Sequence, residues 1–194
     1  MFLAICQGLG LALAIGVGGA LAALFVSVMG SLEAGFDPEG TDYGFSVEVW
    51  FLVTLLALVV LAMLARNKPS LRIPTIAVLA AIGAIVCAAS FAENGDTAWP
   101  GLVLGAIAAA FAAVISFDVL EGALSRAKGN EPGSKEADAA NALIIGFAAA
   151  GIVLAAVCLF IPPISLAVLG ALIYLAATRR RKADEKYEGL RILR

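Results

Sequence analysis

Residues 142–182 read ALIIGFAAAGIVLAAVCLFIPPISLAVLGALIYLAATRRRK. The apolar run 142–178 is too long for one crossing of a bilayer, because about 20 residues suffice and about 25 is the usual upper limit. Pro162 and Pro163 interrupt it near the middle, where proline removes a backbone donor and disfavours helix in the preceding residue. The stretch therefore predicts two spans, about 142–161 and 163–178, followed directly by basic residues.

Four further apolar runs precede this stretch, at 2–29, 47–65, 74–91 and 99–119. The whole chain is 62% hydrophobic and 14% charged, with a mean hydropathy of +1.00. A soluble domain is about half apolar and about a quarter charged. The composition therefore predicts an all-α integral membrane protein.

The distribution of charge predicts the orientation. All 13 Lys and Arg residues fall in segments 66–72, 126–135 and 179–194. In segments 30–48 and 92–98 the charged residues are all acidic. Basic segments stay on the cytoplasmic side of a membrane. Six spans place every cation on that side, whereas five would expose the seven cations of the tail. We therefore predict a bundle of six transmembrane helices in residues 1–178, with cytoplasmic N- and C-termini and a basic cytoplasmic tail at 179–194. The predicted location is the cell's inner or plasma membrane, which the chain crosses several times.

The first run, 2–29, is longer than a bilayer requires. Gly16, Gly18 and Gly19 lie near its middle. The span is either tilted or locally broken, and we expect the tilt.

Small residues recur at a spacing of four within the runs. Gly101 and Gly105 form one pair, Gly16 lies in a row with Ala12 and Ala20, and Gly146 precedes Ala150. Such rows let helix backbones approach closely in lipid. We expect them to serve internal helix packing, with homo-oligomerisation as the alternative.

Asp118 and Glu121 are the candidate binding residues, for an ion or a proton. Their spacing of three places them on one helix face, at the end of the fourth run. Acids near a helix C-terminus oppose the helix dipole. We therefore expect a compensating cation from Arg126, Lys128 or the basic segment 66–72. Ordinary charge pairing at the membrane interface is the alternative to a binding role.

Several classes of function are disfavoured by composition. The chain has no histidine, and no lysine lies within an apolar run, so no general base is available to a serine or cysteine nucleophile. Cys6, Cys87 and Cys158 lie singly in separate runs, which favours packing over a disulfide or zinc site. We expect no enzyme activity, no cofactor or metal, and, with a net charge of −2, no nucleic-acid partner. The predicted partners are anionic lipid headgroups at the basic tail, with a possible second copy of the chain.

The sequence GLGLA at 8–12, the six apolar segments and the closing KYEGLRILR at 186–194 together resemble a bacterial, actinobacterial-type family of small membrane proteins. That family is catalogued only as a domain of unknown function, so the resemblance implies location and topology but no activity. The sequence favours a structural or partner-binding membrane protein. The alternative is a small permease or channel for an ion or small solute, since two halves of three spans each would face opposite ways.

Overall fold

The computed structural model describes the backbone of residues 2–65, 71–127 and 134–191, and the side chains of 2–62, 71–123 and 142–178. These residues form seven α-helices and one short 3-10 helix, and no β-strand is found among them. The helices are α1 (Phe2–Gly18), α2 (Ala20–Ser31), α3 (Val49–Ala65), α4 (Arg72–Glu93), α5 (Ala98–Ala127), α6 (Ser134–Phe160) and α7 (Ile164–Arg191), with the 3-10 helix at Gly44–Val47.

The all-helical class predicted from the sequence is confirmed, and three helices are long and apolar enough to cross a membrane. They are α4, the Ala98–Ala123 part of α5 and the Ala142–Phe160 part of α6. Four other apolar segments are shorter: α1, α2, Val49–Ala62 of α3 and Ile164–Thr178 of α7. Length and composition therefore indicate membrane association.

The first apolar run is broken, so the expectation of one tilted helix over 2–29 is wrong. Helix α1 ends at Gly18 and α2 begins at Ala20, with Gly19 between them at φ 67° and ψ −151°. This backbone conformation is essentially restricted to glycine, because a Cβ atom would clash with the chain. The three glycines near the middle of the run provide the freedom that the break requires.

Helices α1 and α2 fold back on one another. The side-chain amide of Gln7 donates a hydrogen bond of 2.5 Å to the carbonyl oxygen of Gly35, 28 residues further along the chain. One continuous helix would hold these residues about 42 Å apart, at about 1.5 Å per residue. The start of α1 and the end of α2 therefore lie at the same end of the bundle. We call α1, Gly19 and α2 the helical hairpin.

This arrangement bears on the predicted cytoplasmic side of the N-terminus, which stays a prediction. A single span over 2–29 would place its first residue and the segment 30–48 at opposite ends of the bundle. The hydrogen bond between Gln7 and Gly35 brings them to the same end. The predicted side for the start of the chain depended on that span, since residues 1–32 contain no charged side chain.

Helix α1 is the centre of the bundle and contacts α4, α5, α6 and α7. Five consecutive side chains are fully buried: Leu11, Ala12, Leu13, Ala14 and Ile15. Five residues cover the whole circumference of a helix, so this central part of α1 is enclosed on every side. Helix α2 packs between α3 and α6.

The two ends of the bundle differ in charge. The acidic end contains the start of α1, the segment 32–48, the 94–97 loop and the turn at 161–163. Here the carboxylate of Glu93 lies near the backbone of Asp37, and the Ser90 hydroxyl lies 3.3 Å from the carbonyl oxygen of Ala4. The basic end contains the start of α4 with Arg72, and in sequence it adjoins all three cationic segments.

The remaining boundaries agree with the sequence at the proline turn and differ from it at the end of α5 and the start of α6. The chain turns at Pro162 and Pro163, as predicted, between α6 and α7. Helix α5 continues to Ala127 and α6 begins at Ser134, so both helices extend eight residues beyond the apolar runs predicted to end at 119 and to begin at 142. Residues 128–133 and the side chains of the basic tail lie outside the described residues.

Candidate functional site

The tip of the helical hairpin lies at mid-depth in the bundle. A Cβ built on Gly18 would lie 2.7 Å from the Cα atom of Gly151, so the two backbones touch. Gly151 is the central residue of the apolar segment Ala142–Phe160. The break at Gly19 therefore lies level with the midpoint of that segment.

The backbone of Gly19 takes part in two hydrogen bonds at the tip. The amide of Gly19 donates to the carbonyl of Ile15 at 2.8 Å, and the amide of Ala23 donates to the carbonyl of Gly19 at 3.3 Å. The first N–H groups of a helix have no partner within the helix, and no side chain caps α2. Gly19 is half-buried, and no described atom lies within 4 Å of a Cβ built on it. The tip thus faces open space.

Three of the four glycines predicted to pack helices lie in internal contacts. A Cβ on Gly16 would lie 3.0 Å from the Ala113 amide nitrogen of α5. Gly101 and Gly105 lie against the α4 backbone near Ala88 and Ala84. The fourth, Gly146, differs: within the described part of the chain, no atom lies within 4 Å of its Cβ position.

A group of polar atoms lies beside the hairpin at the acidic end, and we call Gln7, Gly35, Leu159 and Ser165 the polar corner. Gln7 is 9% exposed and Ser165 is fully buried. A Cβ on Gly35 would lie 3.4 Å from the carbonyl oxygen of Leu159, and one on Gly10 would lie 2.9 Å from the Cβ atom of Ser165. Since Gln7 and Gly10 share a face of α1, these groups converge. The Ser165 hydroxyl has no hydrogen-bond partner among the described residues.

Asp118 and Glu121 both pair with Arg72 at the basic end. The guanidinium Nη1 lies 3.2 Å from a Glu121 carboxylate oxygen, and Nη2 contacts Asp118. The guanidinium also lies over the ring of Phe117, at 5.9 Å. The basic segment 66–72 therefore supplies a compensating cation, as expected. The Arg126 side chain and Lys128, the other two candidates, lie outside the described residues.

These ion pairs are substantially exposed. The Arg72 side chain is 36% exposed, and those of Asp118 and Glu121 are 48% and 76% exposed. Exposed ion pairs contribute little to stability, about 0–1 kcal/mol. The geometry suits a link between α4 and α5 at the membrane interface better than a buried ion site.

The described residues contain no group of three His, Cys, Asp or Glu side chains that could hold a metal ion. Cys87 and Cys158 lie against Gly8 and Gly10 of α1, respectively, and all three cysteines are buried and free. Their contacts are those of small packing residues.

No family model, curated protein or solved structure matches the chain. The resemblance to a bacterial membrane-protein family stays a prediction.

Sequence reasoning missed the polar corner. Gln7 and Ser165 lie far apart in sequence, and Gly35 reaches them only because the hairpin folds back. The signal that could have located this site was the group Gly16, Gly18 and Gly19. Had it been interpreted as a break, the loop after α2 would have been placed beside the start of α1.

Proposed function

We propose that the chain crosses the membrane five times, with α3 to α7, and that the helical hairpin enters and leaves the membrane from one side. Under this arrangement the acidic end is extracytoplasmic and the basic end is cytoplasmic, which satisfies the charge distribution as fully as six spans do. The start of α1 then faces outward. Both contacts of α1 with the acidic end, from Gln7 and Ala4, support this proposal.

We propose that the protein is a small permease or channel for an ion or a small solute. The observation that carries this proposal is the helix break at Gly18 and Gly19 at mid-depth. An unsatisfied backbone group costs several kcal/mol in lipid, so broken helices occur at that depth where they are buried in protein or line a water-filled cavity. Discontinuous helices near the midplane form the binding sites of many transporters.

The residues around the break favour movement of a solute over catalysis. The hairpin brings uncapped backbone to the middle of the bundle, and the polar corner leads from exposed Gly35 to buried Ser165. Asp118, Glu121 and Arg72 would then lie at the cytoplasmic mouth, where they link α4 to α5. In this proposal their role is to link α4 to α5 at the cytoplasmic mouth. Any solute would pass them in contact with water.

Reconstitution tests the proposal. Purified protein in liposomes is assayed against a panel of neutral solutes by light scattering, and against K⁺, Cl⁻ and protons by dye response. We expect at least one flux above that of protein-free liposomes. We expect that flux to be lost in Gly19→Val, where a branched side chain meets a glycine-only backbone. Gly146→Val, on the outward face of α6, is the matched control. Equal flux in protein-containing and empty liposomes across the panel would contradict a transport function.

A specific observation favours a second candidate, assembly with another membrane helix. Gly146 is exposed, and in the described part of the chain nothing packs against it. Exposed small residues are typical of faces on which transmembrane helices associate. Native mass spectrometry of Gly146→Ile in mild detergent tests this candidate. An oligomer that the substitution leaves intact would remove this face from consideration.

A further inference from the structure

The segment 32–43, between α2 and the 3-10 helix, lies across the acidic end of the bundle, and we call it the outer strap. Near its beginning, the Gly35 carbonyl accepts the hydrogen bond from Gln7 of α1. A Cβ built on Gly35 would also lie 3.4 Å from the carbonyl oxygen of Leu159, near the end of α6. The outer strap therefore joins helices that are far apart in sequence.

Two side chains of the outer strap are buried in the bundle. Phe36 is 1% exposed and belongs to the hydrophobic core, and a Cβ built on Gly30 of α2 would lie 3.0 Å from its Cδ1 atom. Pro38 is also fully buried, whereas Asp37 and Glu39 beside it are exposed. Burial of apolar surface holds the outer strap in place, so it closes this end of the core in the described conformation.

A pair of carboxyl groups opposes this closure. Glu93, the last residue of α4, lies near Asp37 of the outer strap, whose carboxylate repels it. Glu93 is half-buried, and its Oε2 atom is buried without a hydrogen-bond partner among the described residues. The Asp37 Oδ1 atom accepts a hydrogen bond of 3.0 Å from the backbone amide of Glu39, which fixes its position. Two carboxylates held close together repel, whereas one proton between them removes the repulsion.

No basic side chain among the described residues lies near this pair to offset its charge. The segments that pack against α4 at this end are α1, α2, the 3-10 helix and the first half of α5, and none of them contains a charged residue. Arg72 lies at the opposite end of α4. The other charged side chains at the acidic end are all acids: Glu33, Glu39, Asp42, Glu48 and Asp96. The repulsion between Glu93 and Asp37 is therefore uncompensated.

The backbone offers a turning point towards either end of the outer strap. Glu33 has a φ of 53°, in the left-handed region that is unfavourable for a residue with a Cβ atom. Gly40 has a φ of 80°, which glycine adopts freely. The strained backbone at Glu33 persists because the contacts of the outer strap hold it. Release of those contacts would relieve the strain.

We infer that the outer strap is a pH-dependent lid, which stays closed while Glu93 and Asp37 share a proton and lifts when both carboxyls are charged. The sign follows from linkage, because a closed state that holds one more proton than the open state is favoured in acid and lost as the pH rises. Lifting withdraws Phe36 from the core and breaks the hydrogen bond between Gln7 and Gly35. This inference goes beyond the proposed transport function, under which the outer strap would be the outer gate.

Spin-label distances in the full-length protein test the lid. Glu39→Cys in the outer strap and Trp99→Cys at the start of α5 place labels on two exposed sites, and the three native cysteines are buried. We expect one distance in acid and a second, longer one that grows as the pH rises from about 4 to about 8. The control pair is Trp99→Cys with Phe160→Cys, at two exposed helix positions, and its distance should not change.

Two further substitutions identify the trigger. Glu93→Gln removes one of the two charges, so the longer distance should be lost at every pH. Asp42→Asn changes an exposed acid of the same segment and should follow the parent protein. The titration of the parent protein decides by itself whether the outer strap moves, whatever the stability of Glu93→Gln.

Four outcomes would overturn the inference. They are one unchanged distance across the whole titration, a longer distance that appears in acid instead, a pH-dependent change that persists in Glu93→Gln, and an equal change in the control pair. None of these measurements depends on flux through the protein. Solute flux in liposomes from a protein whose outer strap does not move would overturn the lid and leave the proposed transport function in place.

Discussion

The side-chain amide of Gln7 lies 2.5 Å from the carbonyl oxygen of Gly35, and this contact requires α1 and α2 to run in opposite directions. It connects the beginning of the chain to the segment that follows α2. The break at mid-depth, the polar corner and the odd number of proposed crossings all follow from it. Four predictions test the fold on which these features depend.

The first prediction concerns the hydrogen bond itself. Gln7→Leu should lower the free energy of unfolding by about 1 kcal/mol, the typical net value of one intramolecular hydrogen bond. Thr54→Val is the control, because the Thr54 hydroxyl bonds only within its own helix, to the carbonyl of Trp50. Denaturant titration in detergent micelles measures both. An unchanged stability in Gln7→Leu would show that the hydrogen bond does not hold the hairpin together.

The second prediction concerns the break. Gly19→Ala should destabilise the protein by about 1–3 kcal/mol, because φ 67° with ψ −151° is a strained combination for any residue with a Cβ atom. Gly170→Ala is the matched control, since Gly170 is helical and has open space around it within the described residues. The control should be neutral or stabilising by up to about 1 kcal/mol, because alanine favours helix. Equal effects of the two substitutions would contradict the strained bend.

The third prediction separates internal packing from assembly. Gly105→Ile should destabilise the fold by about 1–3 kcal/mol or more, because Gly105 lies directly against α4 near Cys87 and Ala84. Gly146→Ile should leave the monomer's unfolding transition within about 0.5 kcal/mol of the parent. Thermal unfolding followed by circular dichroism measures both. A stable Gly105→Ile variant would mean that α4 and α5 are not in close contact.

The fourth prediction concerns the ion pair between α4 and α5. A double-mutant cycle with Arg72→Gln and Asp118→Asn should give a coupling energy of about 1 kcal/mol or less, since both side chains are more than a third exposed. The coupling should weaken further in high salt, because exposed charges are screened. Glu121→Gln serves as the comparison within the same cluster. A coupling above about 3 kcal/mol would show instead that the pair is effectively desolvated.

Much of the fold could be predicted from the sequence because two strong signals act on most of it. Hydropathy located the apolar parts of α3 to α7, for example 47–65 against Val49–Ala65. It could not locate the polar extensions of α5 to Ala127, of α6 from Ser134 and of α7 to Arg191. The proline pair located the turn between α6 and α7. Charge opposition predicted a cation beside Asp118 and Glu121, and Arg72 provides it.

The hairpin could not be predicted by the same means. Residues 1–32 contain no charged side chain, so the rule that orients the rest of the chain has no information there. Hydropathy cannot separate one long span from two half-spans of the same composition. The deciding contacts are tertiary: Gln7 with Gly35, and Gly18 with Gly151. The polar corner depends on the same contacts and was invisible for the same reason.

The most direct test of the account asks on which side of the membrane α1 begins. A cysteine is introduced by Phe2→Cys, at a site 62% exposed, and separately by Asp42→Cys and Ser134→Cys. The three native cysteines are buried, and the parent protein serves as the unlabelled control. A membrane-impermeant maleimide is then added to cells whose plasma membrane is intact and whose outer envelope lets the reagent through. The account predicts labelling of Phe2→Cys and Asp42→Cys, with Ser134→Cys labelled only after lysis. Labelling of Phe2→Cys only after lysis, together with Ser134→Cys, would contradict the fold-back of the hairpin.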